Sequence, residues 1–455
     1  MTFSTGVIAV KNFIKIPAHR RLLYVLASIF IVTIAYAFYF QIEPAVDARA
    51  YDNIAKNIVQ HGVYKERLDA SYAKDMSIQR AGPGYEYFLA GIYRIFGYHY
   101  EMVWFLQALL HTFTAWLIYL ITSKVFDLKN DDLPAVIATI IFGLHPDLIE
   151  ISAMLMTETL FLFLITLVVY SFVKTFHRTE SWLNACCLGF ALAVGILVRP
   201  TILLFAPIIL ALYFIRHRGA QAAIFMAIIV LALIPWTVRN YQIYHQFIPT
   251  TVISEYNLWV GNTLLADGGQ LADGLNPFDE YVENYDFFSV GAAAKQAFID
   301  FLIQHPGSFV GLTLIRFIRY FSLLRPMGFW FYQTGPSQLI FIAASAFSIA
   351  VLFIAGIAGM IKLWAGKDSL CRYLVCLAVT APLPLLITVV QSRYRFPIYP
   401  FLAIFAGYFI VYAVRHAKWW REKYFLAPTV VLLFVSLADL SANVEKILDR
   451  LRIFF

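Results

Sequence analysis

Apolar windows long enough to cross a lipid bilayer recur along the whole chain, and no other feature restricts its fold as much. A hydrocarbon layer of ~30 Å requires about 20 apolar residues in a helix. Segments of that length, or close to it, lie near 22–40, 102–123, 134–150, 157–173, 184–198, 201–215, 222–238, 337–361, 372–390, 397–414 and 425–441. A chain of 455 residues that is 61% hydrophobic and only 14% charged cannot hide its apolar surface in one soluble core. The expected fold class is therefore an all-α polytopic membrane protein, a bundle of about eleven transmembrane helices. One domain over 1–455 with no soluble domain attached is expected. Its first apolar segment reads as a retained signal anchor, because it is as long as a full span and more spans follow.

Basic residues set the expected orientation. Lys11, Lys15, Arg20 and Arg21 precede the first span and place the N-terminus inside. Alternation then puts Lys124, Lys129, Lys174, Arg178, Arg216, Arg218, Lys362, Lys367 and the cluster Arg415, Lys418, Arg421, Lys423 on that same side. The net charge of +7 is thus a topology signal, and no nucleic-acid partner is expected. The four cysteines, Cys186, Cys187, Cys371 and Cys376, lie in or beside apolar segments without metal-ligand spacing and read as small buried hydrophobes.

Two long segments remain outside, 41–101 and 239–336, and they carry most of the acidic residues. The second segment, 239–336, is the expected acceptor-binding or lid region, with a solvated connector as the alternative; around the stretch 266–281, "ADGGQLADGLNPFDEY", it reads as a mobile loop. Residues 308–324 are apolar but interrupted by Arg316 and Arg319, and read as an amphipathic helix on the outer face or a half-helix folded against the bundle.

Ionisable groups at outer span ends are the candidates for chemistry. Asp47 follows the first span closely. It could be a solvated loop carboxylate, an N-cap for a helix starting near Tyr51, or a general base at the membrane face. Arg80, Arg199, Arg239, Arg393 and Arg395 sit at separate outer span ends, where positive charge runs against the topological bias. Converging, they would make a phosphate site; singly, each could snorkel or pair with a loop carboxylate. Glu158 opens a span, which the helix dipole alone explains. With Asp147 and His145 it could also hold a divalent cation beside phosphate oxygens. The chain has no GxxxxGK[ST], HExxH or GxSxG, so nucleotide hydrolysis, zinc peptidase and serine hydrolase chemistry lack their usual motifs.

Several short motifs occur in order: Asp47, "QRAGPGYEYFLAGIYRIFG", "HPDLIEISAMLMTETLFLFL", "GILVRPT", "IPWTVRNYQIYHQFIPTTVISEYNLWVGNT" and "SRYRFPIYP". Together they resemble the GT-C glycosyltransferases, in the bacterial branch related to protein O-mannosyltransferases and the lipid A aminoarabinose transferase. Two departures stand out: Asp47 is followed by Ala48, where the family often has a second acid, and the Pro-Gly-Tyr turn continues with Glu86 in place of proline.

The resemblance implies a GT-C bundle with juxtamembrane helices over an outer cavity, in a bacterial inner membrane with the active site on the periplasmic face. It implies a sugar donor on polyprenyl monophosphate and a hydroxyl acceptor on a glycolipid, glycan or protein. Asp47 would be the catalytic base, the five arginines would bind donor phosphate, and Tyr85, Asn240, Asn262 and Tyr394 would position substrate. A lipid-linked sugar flippase and an O-antigen polymerase-like enzyme share the hydrophobicity and the arginines. The clustering of ionisable residues at one face, and not at the midplane, and the order of the motifs favour transfer from the monophosphate.

Overall fold

A computed structural model describes residues 17–128, 131–177, 181–269, 286–324, 335–366 and 368–444, and among them every regular element is a helix or a short 3₁₀ turn. In chain order the helices are α1 (Ala18–Phe40), α2 (Asp47–His61), α3 (Pro83–Phe96), α4 (Tyr100–Val125), α5 (Leu133–Gly143), α6 (Pro146–Ser152), α7 (Thr157–His177), α8 (Trp182–Val198) and α9 (Phe205–Ile215). They continue with α10 (Gly219–Tyr244), α11 (Ile253–Gly261), α12 (Phe287–Gln304), α13 (Pro306–Phe321), α14 (Pro336–Trp364), α15 (Ser369–Thr380), α16 (Leu383–Ile387), α17 (Tyr399–Arg415) and α18 (Lys423–Ala442). The expected all-α membrane bundle is the fold found. Lys11, Lys15, Lys129, Arg178, Lys367 and most of the stretch 266–281 lie outside the described residues.

The expected count of about eleven spans is not met by helix length and composition alone. All eleven expected segments fall on helix, but among the described residues eight helices are long and apolar enough to cross a membrane, or up to 10 if each of two bent pairs counts as one. Residues 134–150 are not one rod. The chain breaks after Gly143, Pro146 starts α6, and the two pieces meet at 56°. Proline forces this, since its ring bars the preceding residue from helical dihedrals. Helices α8 and α9 are shorter than a full span. Helix α13, over the segment expected on the outer face, bends 105° from α12. It turns Arg316 and Arg319 inward, and both are buried.

Helices in lipid gain little from hydrophobic contrast, so close backbone approach and internal satisfaction of polar groups hold the bundle. Helix α14 lays Gly356 and Gly359 against Leu402 and Phe405 of α17, where added methyl groups would collide. Threonines inside the helices turn their hydroxyls back onto carbonyls four residues earlier, as Thr122 does to Ile118 and Thr166 to Leu162, each at 2.7 Å. Of the cysteines, Cys371 is buried but Cys187 is exposed on α8, so the expectation of uniform burial fails there.

The two ends of the bundle differ in chemistry. At one end Arg21 pairs with Asp132 at 2.6 Å, Lys362 with Glu422 at 3.1 Å, and Arg415 with Asp131. Lys124 and Lys174 share the Tyr170 ring there, at 5.5 and 5.6 Å. Of the basic residues expected on one side, Arg21, Lys124, Lys174, Lys362 and Arg415 therefore meet at one end. The opposite helix ends carry Asp47, Arg80, Glu158, Arg199 and Arg393.

Candidate active site

Asp47 owes its position to a strained turn. Helix α1 stops at Gln41, which adopts a left-handed conformation, and the chain runs without regular structure through Pro44 and Ala45 before turning at Val46. Val46 has φ 49°, which is costly for a β-branched residue. The next residue, Asp47, opens α2, where the helix dipole favours a carboxylate. Asp52 then fixes α2 to its neighbours by accepting from Tyr93 (2.7 Å), Tyr100 (2.9 Å) and Lys56 (2.7 Å).

Arg80 and Arg199 come together through a tight contact between two backbones. Gly82, at φ 159°, lies against the Leu197 carbonyl, and a Cβ on Gly84 would stand 2.7 Å from Val198 Cγ2. The Gly-Pro-Gly turn that starts α3 therefore docks on the last turn of α8, immediately before Arg199. A 3₁₀ turn over Ser392–Ile398 supplies Arg393.

These side chains form one charge network. Arg393 Nη2 donates to Asp47 Oδ2 at 2.7 Å, and Arg80 Nη1 donates to Asp47 Oδ1 at 3.4 Å. Arg199 donates to Glu158 at 2.6 Å and through Nε to the Thr157 hydroxyl at 2.8 Å. Arg393 Nη1 also lies 3.8 Å from Glu158, joining the two halves. Burial pushes the Asp47 carboxyl up, but Arg393, then Arg80 and Arg199, outweigh it and hold the group below its ordinary value of 3.8. Asp47 is therefore an ionised acceptor at neutral pH.

The network lines a cavity of about 750 Å³. Asp47, Tyr51, Gln79, Arg80, Arg199, Arg393 and Tyr394 line it with polar groups, as do Ser254, Tyr256 and Asn257 of α11. Phe161, Ile165, Ile202, Phe205, Leu385 and Pro397 give it an apolar wall. A charged head and a greasy tail can be held side by side in such a space.

Not every expected residue is there. Arg239 is enclosed by the rings of Tyr64, Tyr72, Trp236 and Tyr244 at 4.9–5.8 Å and donates to the Tyr64 carbonyl. Arg395 is fully buried against the Phe353 ring at 4.6 Å. Neither lines the cavity. Tyr85 is buried and donates to Gln107 at 2.9 Å; Asn240 donates to the Ile248 carbonyl and Asn262 to the Ile387 carbonyl. None of the three lines the cavity. His145 packs on Tyr399, Asp147 accepts from Ser345, and Glu158 pairs with Arg199. These three do not converge, and among the described residues no group of three or more His, Cys, Asp or Glu could hold a metal ion.

Several side chains of the site went unassigned in the sequence. Glu66 forks onto Arg80, Thr157 holds Arg199, and the Thr251 hydroxyl lies 2.7 Å from the carbonyl oxygens of both Ile78 and Arg80, either of which can accept its proton. No motif spacing announces them. Thr251 shows that the 245–252 stretch braces the first loop from behind.

Residues 80–238 match the family model described as dolichyl-phosphate-mannose-protein mannosyltransferase. The fold is similar to the crystal structure of ArnT from Cupriavidus metallidurans bound to undecaprenyl phosphate, with TM-score 0.51, 14% identity, and coverage of 87% of this chain and 61% of that one. It is also similar to the Archaeoglobus fulgidus oligosaccharyltransferase in complex with Zn and sulfate, with TM-score 0.53, 14% identity, and coverage of 91% and 51%. The apo form of that enzyme gives TM-score 0.53 at 14% identity, covering 92% and 55%. The chain thus spans between 51% and 61% of the length of these structures. No curated protein matches it. The family match covers residues 80–238, and the likeness to these solved structures is one of fold.

Proposed function

We propose that this protein is a membrane glycosyltransferase that moves a sugar from a polyprenyl-monophosphate donor to an acceptor hydroxyl. One observation carries the reading: an ionised carboxylate and three guanidinium groups line one cavity that many apolar side chains also line. The resemblance over 80–238 and the fold of the undecaprenyl-phosphate-bound ArnT support the donor class.

The residues account for the steps of such a transfer. The acceptor hydroxyl loses its proton to Asp47, and its oxygen attacks the anomeric carbon. The bond from that carbon to the phosphate oxygen breaks, and its electron pair leaves with polyprenyl phosphate. Arg80, Arg199 and Arg393 stabilise the charge that grows on the phosphate. A glycosidase needs an acid for an alkoxide leaving group, whereas a lipid phosphate leaves without one. Attack opposite the leaving group inverts the anomeric centre. Asp47 is a weak base in the resting pair, so its proton transfer belongs late, when the attacking hydroxyl has become acidic.

The acceptor is a hydroxyl of a glycolipid, glycan or protein in this reading. The cavity end of the bundle would face the outer side of a bacterial inner membrane, with the basic end in the cytoplasm. The reading is tested with purified protein and synthetic undecaprenyl-phosphate sugars, measuring undecaprenyl phosphate released and sugar attached to a membrane lipid extract. Release with attachment is expected. Passage of intact donor between leaflets without cleavage would replace this reading with a flippase.

A further inference from the structure

Arg80 is held by an acid that the proposed transfer does not use. Its Nε and Nη2 both donate to Glu66, at 2.9, 2.8 and 2.7 Å, which is a side-on two-point pair. Only the Nη1 edge remains for the cavity, and that edge meets Asp47 at 3.4 Å. Glu66 is itself fixed. Its backbone N–H and that of Arg67 donate to the buried Asp75 carboxylate at 2.9 and 3.0 Å, and the Ser77 hydroxyl donates there too. Asn57 donates to the Lys65 carbonyl at 2.9 Å and ties the same loop to α2.

We infer that Glu66 is a positioning residue: it occupies the fork of Arg80 so that a single nitrogen, Nη1, is shared between Asp47 and the donor phosphate. The inference rests on the transfer reading given above. Arg80 would otherwise have Asp47 as its nearest carboxylate, and a two-point pair between them would take the base out of use. Glu66 also offsets one positive charge beside Asp47. The other charged or titratable groups facing this pair are Arg393, Arg199 and Tyr51 around Asp47, and Glu86 near Glu66. Glu158 is paired with Arg199 and adds its charge to the same network.

The test compares wild type, Glu66→Gln, Glu66→Asp, Arg80→Gln and the double variant Glu66→Gln/Arg80→Gln. Turnover and donor KM are followed against pH with a synthetic undecaprenyl-phosphate sugar, and affinity for undecaprenyl phosphate is measured separately. Glu66→Gln is expected to lower kcat about 10- to 100-fold, the range for a misplaced catalytic group. Donor KM and undecaprenyl phosphate affinity should not weaken, because the lost negative charge favours an anion. The acid limb of the pH–rate profile should move to lower pH, since Asp47 now faces more positive charge. Glu66→Asp should recover part of kcat, and Glu66→Gln should add no further loss where Arg80 is already Gln. A wild-type kcat in Glu66→Gln, an equal loss of kcat and of undecaprenyl phosphate affinity, or additive losses in the double variant would each overturn the inference. A wild-type protein that neither binds undecaprenyl phosphate nor transfers sugar would overturn the transfer reading itself.

Discussion

Arg393 Nη2 lies 2.7 Å from Asp47 Oδ2 although 346 residues of chain separate the two. The contact joins the strained turn after α1 to the 3₁₀ turn before α17, and it makes the first and last polar stretches at this end walls of one cavity. Arg393 is nearly buried and also lies 3.8 Å from Glu158, so it serves two acids at once.

Asp47→Asn keeps the shape of the side chain but cannot take a proton. Transfer should fall by about 10²–10⁴-fold, the usual worth of a positioned base, while undecaprenyl phosphate still binds. Full activity in a folded Asp47→Asn protein would remove Asp47 from the mechanism.

Arg393→Ala and Arg239→Ala should behave differently. The first leaves Asp47 and Glu158 short of a cation in a low-dielectric site, so it should cost about 3–5 kcal/mol in unfolding measurements and abolish transfer. The second removes a cation from an aromatic enclosure off the cavity. It should cost about 1–3 kcal/mol, with turnover per folded molecule largely kept.

Gly84→Ala tests how Arg80 and Arg199 are brought together. Its Cβ would meet Val198 Cγ2 at 2.7 Å and the Leu197 carbonyl carbon at 3.0 Å. Overpacking of this kind costs about 1–3 kcal/mol. Because the clash falls beside Arg199, donor KM should rise along with the loss in melting temperature.

The two acids of the first loop have opposite pH signatures. Asp47 is held below 3.8, with burial outweighed by Arg393, so its pair stabilises the fold above that pH. That stability is lost as pH falls through the lower folded value. Asp47→Asn should flatten this acid limb in melting curves. Glu86 is pushed up to about 8, first by burial. The folded state therefore keeps a proton that the unfolded chain gives up near 4.5, and stability declines as pH rises from there towards 8. Glu86→Gln should remove that decline and raise the melting temperature at pH 8.

How far the sequence could be read depends on what each signal encodes. The apolar runs report the solvent around a helix, and that is local, so the helices of the bundle were legible, as was the gathering of basic residues at one end. The span count was less so: Pro146 breaks one run and α8 and α9 are short, and whether a short apolar helix crosses a bilayer is not a property of the run alone. Glu66 was legible only as an acidic loop residue. It meets Arg80 through an irregular loop folded around Asp75, which has no period to detect.

By itself the sequence determined that this chain folds as a helical membrane bundle with acids and arginines collected at one face. Only the tertiary structure decided that Arg80, Arg199 and Arg393 share a cavity with Asp47 while Arg239 and Arg395 do not. The physical reason is that a guanidinium group in a low-dielectric interior must be satisfied, yet a carboxylate, a row of carbonyls or an aromatic enclosure will each do it. Residue type fixes the demand, and packing chooses which partner meets it.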